Sequence, residues 1–167
     1  MLIAIISDVH NNTVNLEKVL NYCRENSIET IVCCGDLASA ETLDFLNDNF
    51  AGKIYYTFGN MDNGQLRDYL DIKKYRHTGI YNPFGEIEIE DKNIAFVHFP
   101  NVAKKLCETE KYDFVFYGHT HKPWMEKING CALINPGNVA GEIYPPTFTV
   151  WDTENNKFSL IRVHDLK

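Results

Sequence analysis

Continuous apolar runs separated by polar turns predict three buried strands in the first third of the chain. The runs cover residues 2–7, 30–34 and 53–58, and uninterrupted apolar runs are typical of strands covered on both faces. Apolar residues at helical spacing predict helices over about 13–25 and 40–49, and a helix is also expected after the third strand. Strands that alternate with helices at short intervals favour parallel βαβ units over a sandwich of hairpins.

The rest of the chain favours antiparallel pairs. Strict alternation over 86–90, followed by a polar turn and an apolar run over 94–98, predicts a half-exposed pair of strands. A short helix over about 101–109 and a buried strand over 113–117 follow. Two closing hairpins are expected, with strands at 124–128 and 131–134 around Asn129-Gly130, and at 147–151 and 157–163. We therefore predict one α/β domain over residues 1–167, with a parallel half and an antiparallel half.

Length and composition are typical of a globular domain. The chain has 167 residues, of which 44% are hydrophobic and 23% charged; this composition disfavours a disordered protein and excludes a collagen-like or low-complexity one. No apolar run approaches the roughly 18 residues of a membrane helix. The first apolar run is too short for a secretory signal and has no cationic leader. We expect a cytoplasmic protein with no membrane partner.

Charge disfavours one further class of function, and cysteine usage excludes another. Sixteen Lys and Arg against 23 Asp and Glu give a net charge of −7, which repels polyphosphates and makes a nucleic acid polymer a poor partner. The chain contains five cysteines without a Cys-x-x-Cys pair, which excludes zinc-finger chemistry: Cys23, Cys33, Cys34, Cys107 and Cys131. All five are expected to be reduced, since cysteines in apolar runs behave as small hydrophobes.

Side chains with metal-binding chemistry follow five of the predicted strands. In open α/β sheets, ligands bind beyond the carboxyl ends of the strands, so these side chains are expected to meet at one edge. Glycines at 35, 59 and 118 precede three of the sites and allow tight turns and close approach of the backbone. The set has two carboxylates, one amide and four of the six histidines: Asp8, His10, Asp36, Asn60, His98, His119 and His121.

This mixture of donors is typical of a pair of divalent metals. Imidazoles with carboxylates suit manganese, iron, cobalt, nickel or zinc, whereas magnesium and calcium prefer oxygen ligands. Seven side chains exceed the three or four protein ligands of one catalytic zinc, and a bridging Asp36 would give each of two metals four ligands. Two metals about 3.5–4 Å apart ionise water near neutral pH and clamp both oxygens of an in-line displacement. Hydrolysis of a phosphate ester is the natural use.

Each motif alone has a plainer structural explanation. Gly35-Asp36 and Gly59-Asn60 are ordinary turn dipeptides, and a single histidine at a strand end is more often structural than a ligand. The plainer explanation has to hold at five strand ends at once, in a chain with only six histidines. That coincidence favours the metal site.

Several short motifs occur in a fixed order: Asp8-x-His10, Gly35-Asp36, Gly59-Asn60-x-Asp62, His98, Gly118-His119-x-His121 and Asn135-Pro136-Gly137. This order resembles the calcineurin-like metallophosphoesterase superfamily, in particular its small single-domain phosphodiesterases of bacteria and archaea. The resemblance covers about residues 2–151. It implies a four-layer α/β/β/α sandwich with mixed sheets and a two-metal site at the sheet ends.

The resemblance also implies roles for the seven residues. One metal is expected to bind Asp8, His10, Asp36 and His121, and the other to bind Asp36, Asn60, His98 and His119. Asn60 is expected to contact the substrate as well. A hydroxide that bridges the metals would attack a small phosphodiester or an activated phosphomonoester, usually with manganese or nickel. Similar proteins form homo-oligomers.

Three residues depart from the family pattern. Met61 stands where many members carry a histidine that protonates the leaving group, so the general acid is unassigned and His77 is one candidate. The departure predicts a preference for substrates with good leaving groups. Phe99 stands where relatives often have glycine; core packing is favoured over a place in the pocket. Asn138 stands where serine is usual.

Other functions are weighed against the enzyme. A protein-binding scaffold similar to the retromer subunit would share the fold but could lose ligands, whereas all seven are present. A nucleotide-binding protein is disfavoured because no Gly-x-Gly-x-x-Gly or phosphate-loop sequence follows a strand. A nuclease would need its metals to overcome the acidic net charge. The loops expected to select the substrate lie at 65–83 and 141–146.

Overall fold

A computed structural model describes residues 1–62, 66 and 70–166, and two β-sheets packed face to face form its centre. Three helices are described: α1 Thr13–Glu25, α2 Ala40–Asn49 and α3 Pro100–Glu108. Six strands are β1 Leu2–Ile6, β2 Thr30–Cys33, β3 Lys53–Thr57, β4 Thr78–Tyr81, β10 Thr147–Asp152 and β11 Lys157–Arg162. The others are β5 Phe84–Ile89, β6 Lys92–Val97, β7 Phe114–Tyr117, β8 Trp124–Ile128 and β9 Cys131–Asn135.

Each sheet is mixed. The first has the order β11-β10-β1-β2-β3-β4, in which β1 to β4 are parallel and β10 and β11 are antiparallel to their neighbours. The second has the order β5-β6-β7-β9-β8, in which β6, β7 and β9 are parallel. The prediction of an antiparallel second half is therefore wrong for these central strands. Connections that run through α3 and through β8 separate them along the chain and allow the parallel pairing.

Alternate side chains of the central strands separate three layers of core. On β1, Ala4 and Ile6 pack with α1 and α2, whereas Ile3 and Ile5 face the other sheet. The space between the sheets is filled by aromatic side chains such as Phe96, Phe116 and Trp151. Helix α3 covers the outer face of the second sheet. The layers are therefore α/β/β/α, as predicted for the metallophosphoesterase fold.

The helix and strand positions agree closely with the apolar pattern. Helix α1 begins where expected, since the Asn12 side chain caps it by accepting from the Asn15 amide at 3.1 Å. Strand β4 is the exception, because its short Thr-Gly-Ile-Tyr sequence lies within the loop predicted at 65–83. The helix predicted after the third strand, and part of the predicted 65–83 loop, lie outside the described residues.

Two of the five cysteines form a disulfide, so the prediction of five reduced thiols is wrong. Cys107 at the end of α3 is bonded to Cys131 at the start of β9, with a sequence separation of 24 residues and a Cα–Cα distance of 5.5 Å. The packing of α3 across the second sheet brings these chain ends within bonding distance. Cys23, Cys33 and Cys34 are free and buried.

No helix among the described residues has both the length and the apolar character needed to cross a membrane.

Candidate metal centre

Five loops meet at the carboxyl edge of the parallel strands of both sheets. They follow β1, β2 and β3 in the first sheet and β6 and β7 in the second. Backbone hydrogen bonds join them: the Asp8 amide donates to the Gly35 carbonyl at 3.0 Å, and the Gly118 amide donates to the His98 carbonyl at 3.1 Å. The predicted site residues are therefore brought to one edge by the sheet topology.

Asp8, His10 and His121 form the first group of donors. The Asp8 Oδ1 atom lies 3.4 Å from His121 Nε2 and 3.8 Å from His10 Nε2. The two imidazole rings meet edge to face, with centroids 5.0 Å apart. The three side chains offer ligand atoms within 4.8 Å of one another, a spacing that suits one cation.

Asp36 connects this group to His98. Its Oδ2 atom lies 3.5 Å from His10 Nε2 and 3.2 Å from His98 Nε2. Its Oδ1 atom accepts a hydrogen bond from the Met61 amide at 2.7 Å, which fixes the orientation of the carboxylate. Asp8, Asp36 and His98 also offer ligand atoms within 4.8 Å of one another.

Asn60 connects His98 to His119. The Asn60 Oδ1 atom lies 3.0 Å from His98 Nε2 and 2.8 Å from His119 Nδ1. Every one of the seven residues predicted from the sequence is thus joined to the next by a polar contact, and the set is continuous from His121 to His119.

The outer nitrogens of three histidines are held by oxygen atoms. His98 Nδ1 donates to the Cys34 carbonyl at 2.9 Å, and His121 Nδ1 donates to the Glu142 carbonyl at 3.2 Å. His10 Nδ1 lies 3.1 Å from the Glu142 carboxylate. These contacts direct each Nε2 atom towards the carboxylates, as outer-shell partners do for histidines that bind metals.

Charge is strongly coupled within the group. Burial raises the pKa of Asp36, but the neighbouring His10 and His98 imidazoles more than offset this, so its pKa lies below the usual range. The Asp36 carboxylate, with Asp8 second, raises the pKa of His10 to about 10. Asp8 likewise raises the pKa of His121. The buried carboxylates therefore favour the protonated form of these imidazoles in the metal-free protein, and a cation would take over the role of the proton.

The residues present fit a metal. His10 Nε2 is buried and has no hydrogen-bond partner among the described residues, although two carboxylates lie within 4 Å of it. An unsatisfied buried nitrogen is costly unless something else occupies the space that it faces. Imidazole nitrogens and carboxylate oxygens are together the donors of first-row divalent metals.

The backbone at the site is left-handed at five of the seven residues. This conformation is uncommon for residues other than glycine and costs of order 1–3 kcal/mol each, so it points to a functional constraint. The φ values are 53° for Asp8, 47° for His10, 57° for Asp36, 70° for His119 and 58° for His121.

Two of the predicted glycines permit this packing. Gly35 has a φ of +100°, and a Cβ atom there would lie 2.8 Å from both the Gly59 amide nitrogen and His98 Nδ1. A Cβ atom on Gly118 would overlap the Ser7 hydroxyl and lie 2.8 Å from Asp8 Oδ2. A larger residue at either position would push the ligand side chains apart.

Two polar side chains support the loops in ways that the sequence did not predict. Both Asp62 oxygens accept from backbone amides at 2.7 Å, and the donors are Asp36, Gly59 and Ala38. Asp62 therefore holds two ligand loops together. Asn138 is buried and accepts from the Gly141 and Glu142 amides.

Asn138 also donates to the carbonyls of His121 and Tyr144, at 3.2 and 3.3 Å. It thereby fixes the loop that carries Glu142, a residue that sequence reasoning missed. The signals in the sequence are its place shortly after the Asn-Pro-Gly motif and within the 141–146 loop that is expected to select the substrate.

Two further residues discussed in the sequence analysis, Phe99 and His77, lie in different places relative to the site. Phe99 is 37% exposed and contacts the His98 and His119 rings, so the core-packing prediction is wrong. His77 precedes β4 at the opposite, amino-terminal edge of the first sheet, where its Nε2 atom lies 3.0 Å from the Asn47 carbonyl. His77 therefore does not supply a proton at this site.

The fold and the cluster of donors define a phosphoesterase of the metal-dependent class. The calcineurin-like phosphoesterase superfamily domain matches residues 1–156, and the chain belongs to this family. It is therefore a hydrolase of phosphate esters, in a family that implies a divalent metal cofactor.

Several known proteins are similar over nearly their whole length. Phosphodiesterase MJ0936 of Methanocaldococcus jannaschii is 30% identical over 95% of this chain and 96% of its own. Phosphodiesterase YfcE of Escherichia coli K12 is 25% identical over 84% of this chain and 80% of its own. A solved archaeal phosphodiesterase superimposes with a TM-score of 0.86 and 29% identity, over 97% of this chain and 99% of that one.

A vacuolar sorting protein shares the fold at lower sequence identity. Vacuolar protein sorting 29 of Cryptosporidium parvum superimposes with a TM-score of 0.68 and 20% identity, over 96% of this chain and 95% of that one. Likeness at this level supports the architecture alone.

Proposed function

We propose that the protein hydrolyses small phosphodiesters, or activated phosphomonoesters, with two divalent cations at the edge of the two sheets. The observation that carries the proposal is the position of Asp36 Oδ2 between His10 Nε2 and His98 Nε2, at 3.5 and 3.2 Å. A carboxylate oxygen between two imidazoles is placed to bridge two cations. The relatives named as phosphodiesterases support the choice of diesters.

The two ligand sets share Asp36. The first cation would be held by Asp8, His10, Asp36 and His121, and the second by Asp36, Asn60, His98 and His119. The mixed nitrogen and oxygen donors favour manganese or nickel, with iron, cobalt and zinc as other candidates. When bound, cations of this kind ionise water near neutral pH and neutralise the charge of a phosphate.

The chain's own residues prepare the site for an anion. Two carboxylates, Asp8 and Asp36, offset only half the charge of two divalent cations, so the loaded centre attracts a phosphate. The carbonyls of Cys34 and Glu142 accept from His98 and His121, and this keeps each inner nitrogen available as a neutral donor. Asn60 is exposed at the mouth of the site, and we propose that it contacts the substrate.

Retention of the complete donor set favours an enzyme over a scaffold. A scaffold needs none of the seven side chains, and left-handed backbone at five of them is a cost without a benefit unless they bind something. We extend the proposal to a single domain over residues 1–167. Homo-oligomer formation and cytoplasmic location stay predictions.

The test combines metal content with activity. Protein dialysed against a chelator should lose hydrolysis of bis(4-nitrophenyl) phosphate and regain it with Mn²⁺ or Ni²⁺. Asp36→Asn should lower kcat/KM by about a thousandfold and reduce bound manganese below two equivalents. Asp91→Asn is the matched control, since Asp91 is an exposed residue of the turn that precedes β6, at the edge of the second sheet opposite to the site. Full activity after chelation, or two tightly bound cations in Asp36→Asn, would contradict the proposal.

A further inference from the structure

Phe99 places an aromatic surface beside one half of the proposed centre. Its ring centroid lies 5.0 Å from that of His98 and 5.2 Å from that of His119, with interplanar angles of 81° and 62°. The side chain is nevertheless 37% exposed. One part of the ring therefore contacts two proposed ligands of the second cation, and the rest faces solvent at the mouth of the site.

The local backbone does not require an aromatic residue here. Phe99 is the N-cap of α3 and provides no side-chain hydrogen bond to the helix. Serine, threonine, aspartate or asparagine is preferred at this position, because such a side chain accepts from a backbone amide of the first turn, and Pro100 already fixes the entry into the helix. The phenyl ring thus replaces a capping group and leaves apolar area in water.

A second apolar side chain accompanies Asn60. Met61 is 49% exposed, and its amide is fixed by the hydrogen bond to Asp36 Oδ1 at 2.7 Å. Polar ligands at this edge are therefore flanked by apolar groups on the side of Asn60 and His119. Such a surface suits a substrate that joins a charged phosphate to an apolar or aromatic group.

We propose that Phe99 is a specificity-determining residue, which stacks on an aromatic ring in the ester arm that stays attached to phosphorus. This inference rests on the proposed function. Hydrolysis of the diester by water breaks one P–O bond and gives a monoester, which keeps the ring-bearing arm, and an alcohol, which takes the proton. The ring of the retained arm can be an aryl group or a nucleobase, since both present a π face.

The charge that develops in the reaction decides which arm lies against Phe99. The oxygen of the leaving arm becomes negative as its bond to phosphorus breaks. The face of a phenyl ring is itself negative, so it disfavours an anion. The retained arm stays neutral throughout, and an aromatic surface stabilises it without opposing the reaction.

The test uses three diesters with one leaving group, 4-nitrophenolate, so that differences in rate come from the retained arm. The retained arm is methyl, phenyl or thymidine 5′-yl. Phe99→Ala should lower kcat/KM about tenfold for the phenyl and thymidine esters, mainly through KM, and less than about twofold for the methyl ester. Phe99→Tyr keeps the ring and should retain the preference. Leu160→Ala removes an exposed apolar side chain from β11 and serves as the control.

A binding measurement separates recognition from catalysis. Calorimetry of the manganese-loaded protein should show that Phe99→Ala weakens phenylphosphonate about tenfold and leaves methylphosphonate and Mn²⁺ affinity unchanged. An equal loss for all three esters, or no loss for any, would overturn the inference while the proposed function stands. If the unsubstituted protein hydrolyses none of the three esters with any added metal, the proposed function is wrong and the inference is wrong with it.

Discussion

The Glu142 carboxylate lies 3.1 Å from His10 Nδ1, and the backbone carbonyl of the same residue lies 3.2 Å from the Nδ1 atom of His121. One loop residue therefore orients two histidines that follow different strands, β1 and β7. The buried Asn138 amide holds that residue in place. The geometry of the first donor group depends on a loop that contributes no ligand of its own.

Loss of the Glu142 side chain should weaken metal binding. Glu142→Ala removes the contact with His10 but keeps the carbonyl contact with His121, so Mn²⁺ affinity should fall at least about tenfold. Glu142→Gln keeps an oxygen acceptor for His10, so its loss of Mn²⁺ affinity should be smaller. Titration calorimetry provides the measurement, and Glu25→Ala, at the exposed end of α1, is the matched control. Unchanged affinity in Glu142→Ala would show that His10 is oriented by other groups.

The stability of the metal-free protein should fall in alkaline solution. The Asp36 and Asp8 carboxylates raise the pKa of His10 from 6.5 to about 10 in the folded state. Protonated His10 therefore stabilises the fold fully below pH 6.5, and the contribution is lost as the pH rises towards 10. The Tm of chelator-treated protein should decrease across this range.

The control for this effect is the His10→Gln variant, in which the decrease of Tm with rising pH should be smaller. Manganese-loaded protein should also show a flatter profile, because a ligating imidazole is neutral at every pH in the range. A Tm that rises with pH in the metal-free protein would contradict the sign of the effect.

The rate should depend steeply on the leaving group. Met61 carries no proton to donate, and the His77 side chain lies at the other edge of the sheet. A series of aryl methyl phosphates should therefore give a strongly negative slope of log kcat/KM against the pKa of the phenol. A slope near zero would mean that another group protonates the leaving oxygen.

The Met61→His variant tests whether a proton donor at this position reduces the dependence of the rate on the leaving group. Asp62 already accepts from three backbone amides, so it is poorly placed to orient a new imidazole as well. We expect only a modest flattening of the slope, with Met61→Leu as the matched control.

The disulfide should stabilise the fold without affecting the site. Cys107 and Cys131 lie at the amino-terminal side of the second sheet, away from the carboxyl edge. Their joint replacement by alanine should lower Tm by about 5–10 °C and leave Mn²⁺ affinity unchanged. Cys23→Ala, at a buried free thiol, controls for the loss of volume. Thiol titration of unfolded, unreduced protein should find three groups, and five would contradict the bond.

The sequence allows prediction of the ligand edge because strand topology determines it. A residue that directly follows a parallel strand has to emerge at the carboxyl edge, so Asp8 and Asp36 could be assigned from the apolar runs of the parallel half alone. Glu142 could not be assigned in this way, because its position depends on the contacts of Asn138 within an irregular loop.

Other features depend on packing that has no sequence period. The Cys107–Cys131 bond requires α3 to lie across β9, and cysteine spacing does not specify this. Strand β4 has only one aliphatic residue, Ile80, so the apolar pattern does not identify it as a strand. Its extended structure depends on pairing with β3. The parallel pairing of β6, β7 and β9 could not be predicted either, because the sequence indicates only the two antiparallel hairpins at the edges of the second sheet, β5–β6 and β8–β9.

The five donor residues with left-handed backbone lower the stability of the fold in order to place their side chains at the site. Glycine at position 119 would relax the backbone, since it adopts a φ near the observed 70° without penalty, but it would delete a donor. Selection for thermal stability alone would therefore favour replacement of these strained donor residues. The resulting protein would keep the fold and gain stability, but it would lose the side chains of the proposed metal site. Screens that improve such domains by melting temperature should consequently also measure the binding of divalent metals at every round.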